Sequence, residues 1–388
     1  MKPKYISREL TSVIEEAYRY FSVITITGPR QSGKTTLIRN IFPNLSYYSL
    51  ENPDVLSYAE NDPIAFLTQH SEGMILDEVH NAPHLLSYIQ GMVDDDPEKR
   101  FILSGSSQFA MLRSITQSLA GRTALFELLP LSYSEIRDLV TDISIDKLLV
   151  NGFYPAIYSG RNVPGFLYPA YLKTYLDKDV RDLLKVKNMM QFHNFIRLCA
   201  GRIGSLFNGS ELANEIGVSS NTITSWLSIL QASYIITLLP PYFENIRKRL
   251  TKTPKLYFTD TGLACYLLGI ETPEQLARDK MRGALFENFV VMEALKHRYN
   301  QGKESNLYFY RDSNHNEIDL LIKRASGMYG IEIKSAMTYH SDFEKALRKM
   351  DDWVKGDVDG KAIIYTGKLE NISGEINLLN YTHLDRVL

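Results

Sequence analysis

The first clear pattern is a run of β-branched and apolar residues, Val23-Ile24-Thr25-Ile26-Thr27, which reads as a buried strand. Residues 9–20 before it mix charged and apolar positions at roughly helical spacing. Residues 73–78 and 101–107 are apolar runs ending in polar groups, and 124–129 is a further apolar run; each predicts a strand. The pattern then turns helical. Residues 210–216 read as a short helix, and Ile223, Trp226, Leu227 and Leu230 fall at i, i+3, i+4 and i+7 on one face of a second. Strands are expected at 235–239 and 255–258. A helix follows from 283, with Leu285, Phe286, Phe289 and Val290 apolar, then strands at 307–310, 317–322, 331–334 and 362–365, with a helix over 342–353 between the last two.

No stretch reaches the ~18 apolar residues of a spanning helix. The most apolar run, 234–243, is interrupted by Pro240 and Pro241. The N-terminus lacks a secretory pattern, and a cytoplasmic protein without a membrane segment is expected. The 388 residues suggest two or three domains, and 44% apolar with 23% charged residues is ordinary for a globular chain. The 43 basic and 45 acidic residues give a net charge of −2, against a globally basic polymer binder but not against local basic patches. Two cysteines, Cys199 and Cys265, exclude a disulfide scaffold and a four-thiolate zinc site. The eight histidines form no H-E-x-x-H, and G-x-S-x-G is absent.

The strand at 23–27 runs into Gly28-Pro29-Arg30-Gln31-Ser32-Gly33-Lys34-Thr35, then Thr36 and a helix. This meets G-x-x-x-x-G-K-[ST] at every fixed position and in the required strand-to-helix context. Glycines let backbone N–H groups turn inward around phosphate oxygens, and the helix N-terminus faces the anion. Lys34 supplies a mobile charge for the outer phosphates of ATP, and Thr35 a hydroxyl for Mg²⁺. The strand at 73–78 ends in Asp77, expected to hold Mg²⁺ through water, and Glu78, expected to orient the attacking water. Adjacent strand residues point to opposite faces, but the chain is already turning there. Ser106 or Ser107, at the tip of the next strand, is a candidate sensor of the terminal phosphate. Arg122 is a candidate arginine finger acting across a subunit contact, with a salt bridge or a cap as the alternative.

The order phosphate loop, acidic strand, polar-tipped strand, arginine, final strand resembles the AAA-type ATPases. More closely, it resembles the bacterial and archaeal AAA ATPases that carry a C-terminal domain of unknown function. Tyr5-Ile6-Ser7-Arg8, Gly28-Pro29-Arg30-Gln31, Leu119-Ala120-Gly121-Arg122, Pro130-Leu131-Ser132-Tyr133-Ser134-Glu135 and Gly152-Phe153-Tyr154-Pro155 carry that likeness. The resemblance covers nearly the whole chain and implies an ATPase of poorly assigned biological role.

In the middle, Ser210 is a plausible N-cap of the first short helix, Gly217 a left-handed stop, and Ser219 or Ser220 the cap of the second. Two short helices across a glycine turn make a helix-turn-helix, and residues 233–258 would form its wing. Residues 244–255 hold five positive charges and one negative, suited to a phosphate backbone. Arg247, Lys248, Arg249 and Lys252 are the expected contacts at this tip, with Asn221 and Thr224 on the second helix. That helix has no Arg or Lys for guanine reading, so shape or backbone binding is favoured.

The C-terminal order αβββαβ, with Asp…Glu-x-Lys on consecutive strands, resembles the PD-(D/E)xK nuclease superfamily. Glu332 and Lys334 are two apart on a strand and share a face. A hairpin brings Asp319 beside them. Asp319 and Glu332 would then share a second Mg²⁺ or Mn²⁺, Lys334 would steady the attacking water or the developing phosphorane charge, and Glu287 would complete the site. Glu317 is a rival ligand, and an inert salt-bridge cluster is the alternative.

The expected architecture is therefore α/β: an AAA-like P-loop domain over 1–140, a linker and mostly helical winged-helix domain over 141–275, and an αβββαβ restriction-endonuclease-like domain over 276–388. The expected function is Mg²⁺-dependent ATP hydrolysis coupled to DNA handling. An ATP-switched binding module with an inert nuclease-like domain, and a structure-directed nuclease gated by ATP, are the alternatives. DNA is the expected macromolecular partner, with a protein partner or a second copy of the chain also allowed.

Overall fold

The computed structural model describes residues 5–106, 118–141, 143–176, 189–243, 253–354, 356–372 and 374–388. Ser107 and the basic tip with Arg247, Lys248, Arg249 and Lys252 lie outside the described residues.

Strands β1 (Val23–Thr27), β2 (Ser46–Ser49), β3 (Gly73–Asp77), β4 (Arg100–Gly105) and β5 (Thr123–Glu127) form a parallel sheet in the order β2-β3-β4-β1-β5. Alternation along each strand explains why both faces are covered. Ile24, Ile26, Ile75 and Ile102 pack on one side with Leu37 and Ile38 of the helix Lys34–Ile41. Val23, Met74, Leu76, Phe101 and Leu103 pack on the other with Leu86 and Ile89 of the helix Leu85–Asp95. Because the strands are parallel, Thr27, Asp77 and Gly105 end on one edge. β4 separates β1 from β3, a gap of roughly 10 Å, which the loop after β1 crosses.

The middle region is mostly helical. Its helices Gly209–Ile216 and Ser220–Ala232 meet at Gly217, whose φ of +76° is the left-handed stop expected there. Ser219 caps the second helix, accepting from Thr222 N. The first is capped by Asn208, which accepts from Glu211 N, and not by Ser210, which lies one residue inside the helix. A hydroxyl placed inside the first turn cannot reach the amide three positions on from the cap. Ile223, Trp226 and Leu230 are buried and Leu227 half-buried. β6 (Ile236–Leu239) and β7 (Lys255–Phe258) pair antiparallel.

The C-terminal sheet has the order β12-β11-β10-β9-β8. β8 (Leu307–Arg311), β9 (Glu317–Lys323) and β10 (Met328–Lys334) are antiparallel neighbours, whereas β11 (Val358–Tyr365) and β12 (Asn377–Asn380) add in parallel. The expected αβββαβ order is present, opened by the helix Arg282–Asn300. The helix expected over 342–353 is instead three short turns, Ser341–Glu344, Lys345–Arg348 and Met350–Trp353, because Lys349 leaves helical geometry at φ −98°, ψ 0°. β12 offers two apolar residues, too short a pattern to read.

One hydrophobic core runs through the middle and C-terminal regions; Phe153 stacks on Phe289 with ring centroids 5.5 Å apart. Among the described residues, no helix is long and apolar enough to cross a membrane.

Candidate nucleotide-binding site

The loop after β1 takes its shape from its glycines. Gly28 has φ +149°, and a Cβ there would lie 2.2 Å from Leu128 O. Gly33 caps the helix Lys34–Ile41 at φ +96°. Gln31, between them, is held at φ +62°. Lys34 Nζ donates to the carbonyls of Gly28 and Pro29 at 2.8 Å each. Burial pulls its pKa down to about 8, although Glu78 and Asp77 work against that. Ser32 Oγ is buried in the loop with no hydrogen-bond partner among the described residues, so the cradle has a donor to offer a phosphate oxygen.

Thr35 Oγ1 donates to Asp77 Oδ2 at 2.7 Å, closing the gap between the loop and β3. Tyr47 donates to the same oxygen at 2.7 Å, and Ser104 to Asp77 Oδ1. One threonine hydroxyl beside one carboxylate fits Mg²⁺, which takes one or two protein ligands and completes its octahedron with water and phosphate oxygens.

Glu78 stands at φ +55°, ψ +46°. That left-handed turn is what lets two consecutive acids serve one edge. Its Oε2 accepts from Ser106 N at 2.9 Å and Ser106 Oγ at 3.2 Å, and His80 Nδ1 lies 3.1 Å away. Burial pushes the carboxyl up, but His80, the Lys34 ammonium and the Ser106 amide outweigh it and hold the pKa at about 2. Ser106 therefore touches the Glu78 carboxylate itself.

A cavity of about 600 Å³ lies over the loop. Arg30, Gln31, Ser32, Gly33, Lys34, Thr35, Thr36 and Glu78 line one side of it, and Pro155, Ala156, Ser159, Arg161 and Asn162 the other. Arg8 also lines it, and buries its guanidinium between Ser32 O (2.8 Å), Leu129 O (2.7 Å) and Glu135 Oε1 (2.9 Å). Arg122 is not among the lining residues; it makes an exposed two-bond pair with Asp94 at 2.6 and 2.8 Å.

Sequence reading missed Arg8 as a support, His80, Tyr47, Ser104 and Arg161. Arg8 lies in a quoted motif, and Ser104 sits two residues before a named candidate. Nothing near Tyr47 or Arg161 in the chain signals a role.

The C-terminal candidates also converge. Lys334 Nζ lies 2.5 Å from Glu332 Oε1 and 3.6 Å from Asp319 Oδ2, and Ile333 N donates to Asp319 Oδ2 at 2.8 Å. Glu287 accepts from Tyr257 at 2.6 Å and from Lys255 at 3.0 Å. Lys255, counted in the sequence with the basic tip, is instead 1% exposed and points inward. Burial, and then the charge of Asp319, raise the pKa of both Glu287 and Glu332. Among the described residues, no group of three or more His, Cys, Asp or Glu side chains is placed to hold a metal. The residues as arranged do not fit a second Mg²⁺ or Mn²⁺, because lysine ammoniums already engage Glu287, Glu332 and Asp319.

Uncharacterized proteins of Mycobacterium tuberculosis and Mycobacterium bovis are each 32% identical to this chain over 339 residues, spanning 85% of it and 74% of the relative. The chain belongs to their family. An uncharacterized protein of Methanocaldococcus jannaschii is 22% identical over 330 residues, 76% of this chain and 71% of its own. Within this chain, residues 20–137 match the AAA domain, 142–274 a domain of unknown function (DUF8612), and 282–384 another (DUF4143). A AAA-type P-loop ATPase domain thus contains the phosphate loop and both acids, which supports nucleotide binding and hydrolysis. Among solved structures, the Walker-type ATPase of Pyrococcus abyssi aligns with TM-score 0.46 at 15% identity, over 69% of this chain and 98% of that one. AMPPCP-bound DnaA from Aquifex aeolicus aligns with TM-score 0.32 at 14% identity, over 58% and 89%.

Proposed function

We propose that the protein is a Mg²⁺-dependent ATPase whose nucleotide state controls contact with DNA. The observation that carries this reading is the two-sided cavity: the phosphate loop forms one wall, and Pro155, Ala156, Ser159 and Arg161 of the middle region form the other. A bound nucleotide touches both walls, so its hydrolysis changes how the middle region sits.

In this reading Gly28 to Gly33 wrap the phosphates, Lys34 neutralises them, and Thr35 and Asp77 hold Mg²⁺. Glu78 polarises the water once Ser106 releases it toward the terminal phosphate. Arg122 leaves Asp94 to reach a neighbouring subunit's phosphate. Residues 1–140, 141–275 and 276–388 act as ATPase, winged-helix and C-terminal parts. The DNA contact uses Asn221 and Thr224, both exposed on the helix Ser220–Ala232, with Arg247, Lys248, Arg249 and Lys252 meeting the phosphate backbone.

The test is fluorescence anisotropy of duplex and single-stranded DNA with the wild type, Lys34→Ala and Glu78→Gln, with and without ATP. Glu78→Gln loaded with ATP should differ from the nucleotide-free form by about tenfold in affinity, with Lys34→Ala indifferent to ATP. Equal affinity in every nucleotide state overturns the coupling. Undiminished phosphate release by Lys34→Ala overturns the ATPase assignment.

A further inference from the structure

We propose that Lys255 is the resident cation of the C-terminal acidic cluster, which makes the cluster a clasp holding the β6–β7 hairpin to the C-terminal sheet instead of a metal centre. The proposal goes beyond the ATPase reading and concerns different residues.

Lys255 opens β7, directly after the basic segment. Its backbone pairs with Leu239 in the hairpin. Its side chain leaves the hairpin and enters the cluster, where Nζ lies 3.0 Å from Glu287 Oε1 and 2.6 Å from Glu317 Oε1. These two carboxylates come from different elements, the helix Arg282–Asn300 and β9. One ammonium therefore bridges them as a divalent ion would. The ring of Phe309 lies under the same ammonium, 5.4 Å away.

The charges around it are closely matched. Glu287, Glu317, Asp319 and Glu332 face Lys255, Lys334 and Arg311. Among the described residues Glu332 Oε2 is buried without a hydrogen-bond partner, so the cluster retains one oxygen that no described cation has taken. An added divalent ion would have to expel the Lys255 ammonium, which is 1% exposed. Displacing it would leave that ammonium charged and without its carboxylate partners in a buried site.

The same strand is fastened at two further points. Tyr257 donates to Glu287 Oε1 at 2.6 Å, and Asn288 exchanges two hydrogen bonds with the backbone of Phe258 at 2.7 and 2.8 Å. The chain after β6 pairs with β8 through Tyr242 N to Phe309 O at 2.6 Å and Phe309 N to Pro240 O at 3.1 Å. Both strands of the hairpin thus dock on the C-terminal region, and Lys255 is the charged pin between them.

Two measurements on the full chain test this. The first is Mn²⁺ binding without nucleotide, read by electron paramagnetic resonance. The wild type should show no bound Mn²⁺ that Asp319→Asn removes; Asp319-dependent binding tighter than about 1 mM overturns the proposal. The second is amide hydrogen exchange of residues 255–258. Lys255→Met should speed it by about tenfold or more, and Lys255→Arg should stay within about twofold of the wild type. Unchanged exchange in Lys255→Met overturns the clasp. Should that variant fail to fold, Glu317→Gln reads the same bridge from its more exposed end, with about threefold faster exchange expected and an unchanged rate overturning it.

Discussion

The Tyr234 hydroxyl lies 2.8 Å from Thr27 Oγ1, a hydrogen bond between the residue that precedes the phosphate loop and one that follows the helix Ser220–Ala232. Tyr234 is buried and holds φ +56°. A non-glycine residue in that region costs about 1–3 kcal/mol unless its surroundings impose it. Here they do: its backbone amide bonds to Gln231 O, and its hydroxyl is held by Thr27 of β1 and Glu127 of β5. The helix proposed to meet DNA is thereby tied to the root of the nucleotide cradle.

Tyr234→Phe should therefore lower stability by about 1–2 kcal/mol, the cost of an unmade buried hydrogen bond. Urea unfolding measures this. The same variant should loosen the coupling of ATP to DNA affinity while leaving DNA affinity without nucleotide unchanged. A variant with wild-type stability would show that the bond contributes nothing.

Lys34 predicts two opposite pH trends. Its folded-state pKa lies at about 8, below the ordinary 10.5, because burial disfavours the ammonium. Between those values the unfolded chain holds more protons, so the nucleotide-free protein gains stability as pH rises from about 8 toward 10.5. ATP needs the ammonium, so its affinity should fall over the same range by up to about tenfold per pH unit. Calorimetric titration at pH 7, 8 and 9, with Lys34→Arg as the pH-independent control, separates the two.

Glu78 titrates in the acid range, and there too stability rises with pH. Held at about 2 against an ordinary 4.5, its carboxylate stabilises the fold fully above pH ~4.5, and this contribution is lost as pH falls toward 2. Glu78→Gln should be less stable at pH 7 by about 1–3 kcal/mol, with the difference vanishing near pH 2. Urea midpoints across pH test it. The same variant should lose about 10²- to 10⁴-fold in kcat while retaining ATP.

Arg8 is 5% exposed and satisfies two carbonyls and Glu135 at once. Arg8→Met leaves those acceptors without their donor and should cost about 3–5 kcal/mol. Thermal unfolding reads the loss, and ATP affinity should fall with it because Ser32 O is part of the cradle. Adding Glu135→Gln should recover some of the stability, since the uncompensated charge is then gone.

The nucleotide site was legible where its chemistry is contiguous. Gly28 to Thr35 lie within eight positions, and Asp77 and Glu78 are neighbours at a strand end. The turn at Glu78 that reconciles two adjacent acids with one edge was foreseeable only as a strand terminating. The C-terminal candidates were legible from spacing: Glu332 and Lys334 share a face by the strand period, and Asp319 comes beside them by a hairpin. Lys255 was misread because the charge of 244–255 suggests a solvated tip, while its first position in β7 sends the side chain into the protein.

The sequence by itself determined the phosphate loop, the acidic strand end and most strands, because each depends on a local backbone preference or a short apolar period. Only the tertiary structure decided that Arg8 braces Ser32, that Tyr234 meets Thr27, that Arg161 faces the loop and that Lys255 fills the acidic cluster. Those contacts follow from strand order and from how separate regions share one core. Neither leaves a periodic trace along the chain, so residues 24 to 207 positions apart acquire their roles only when packing brings them together.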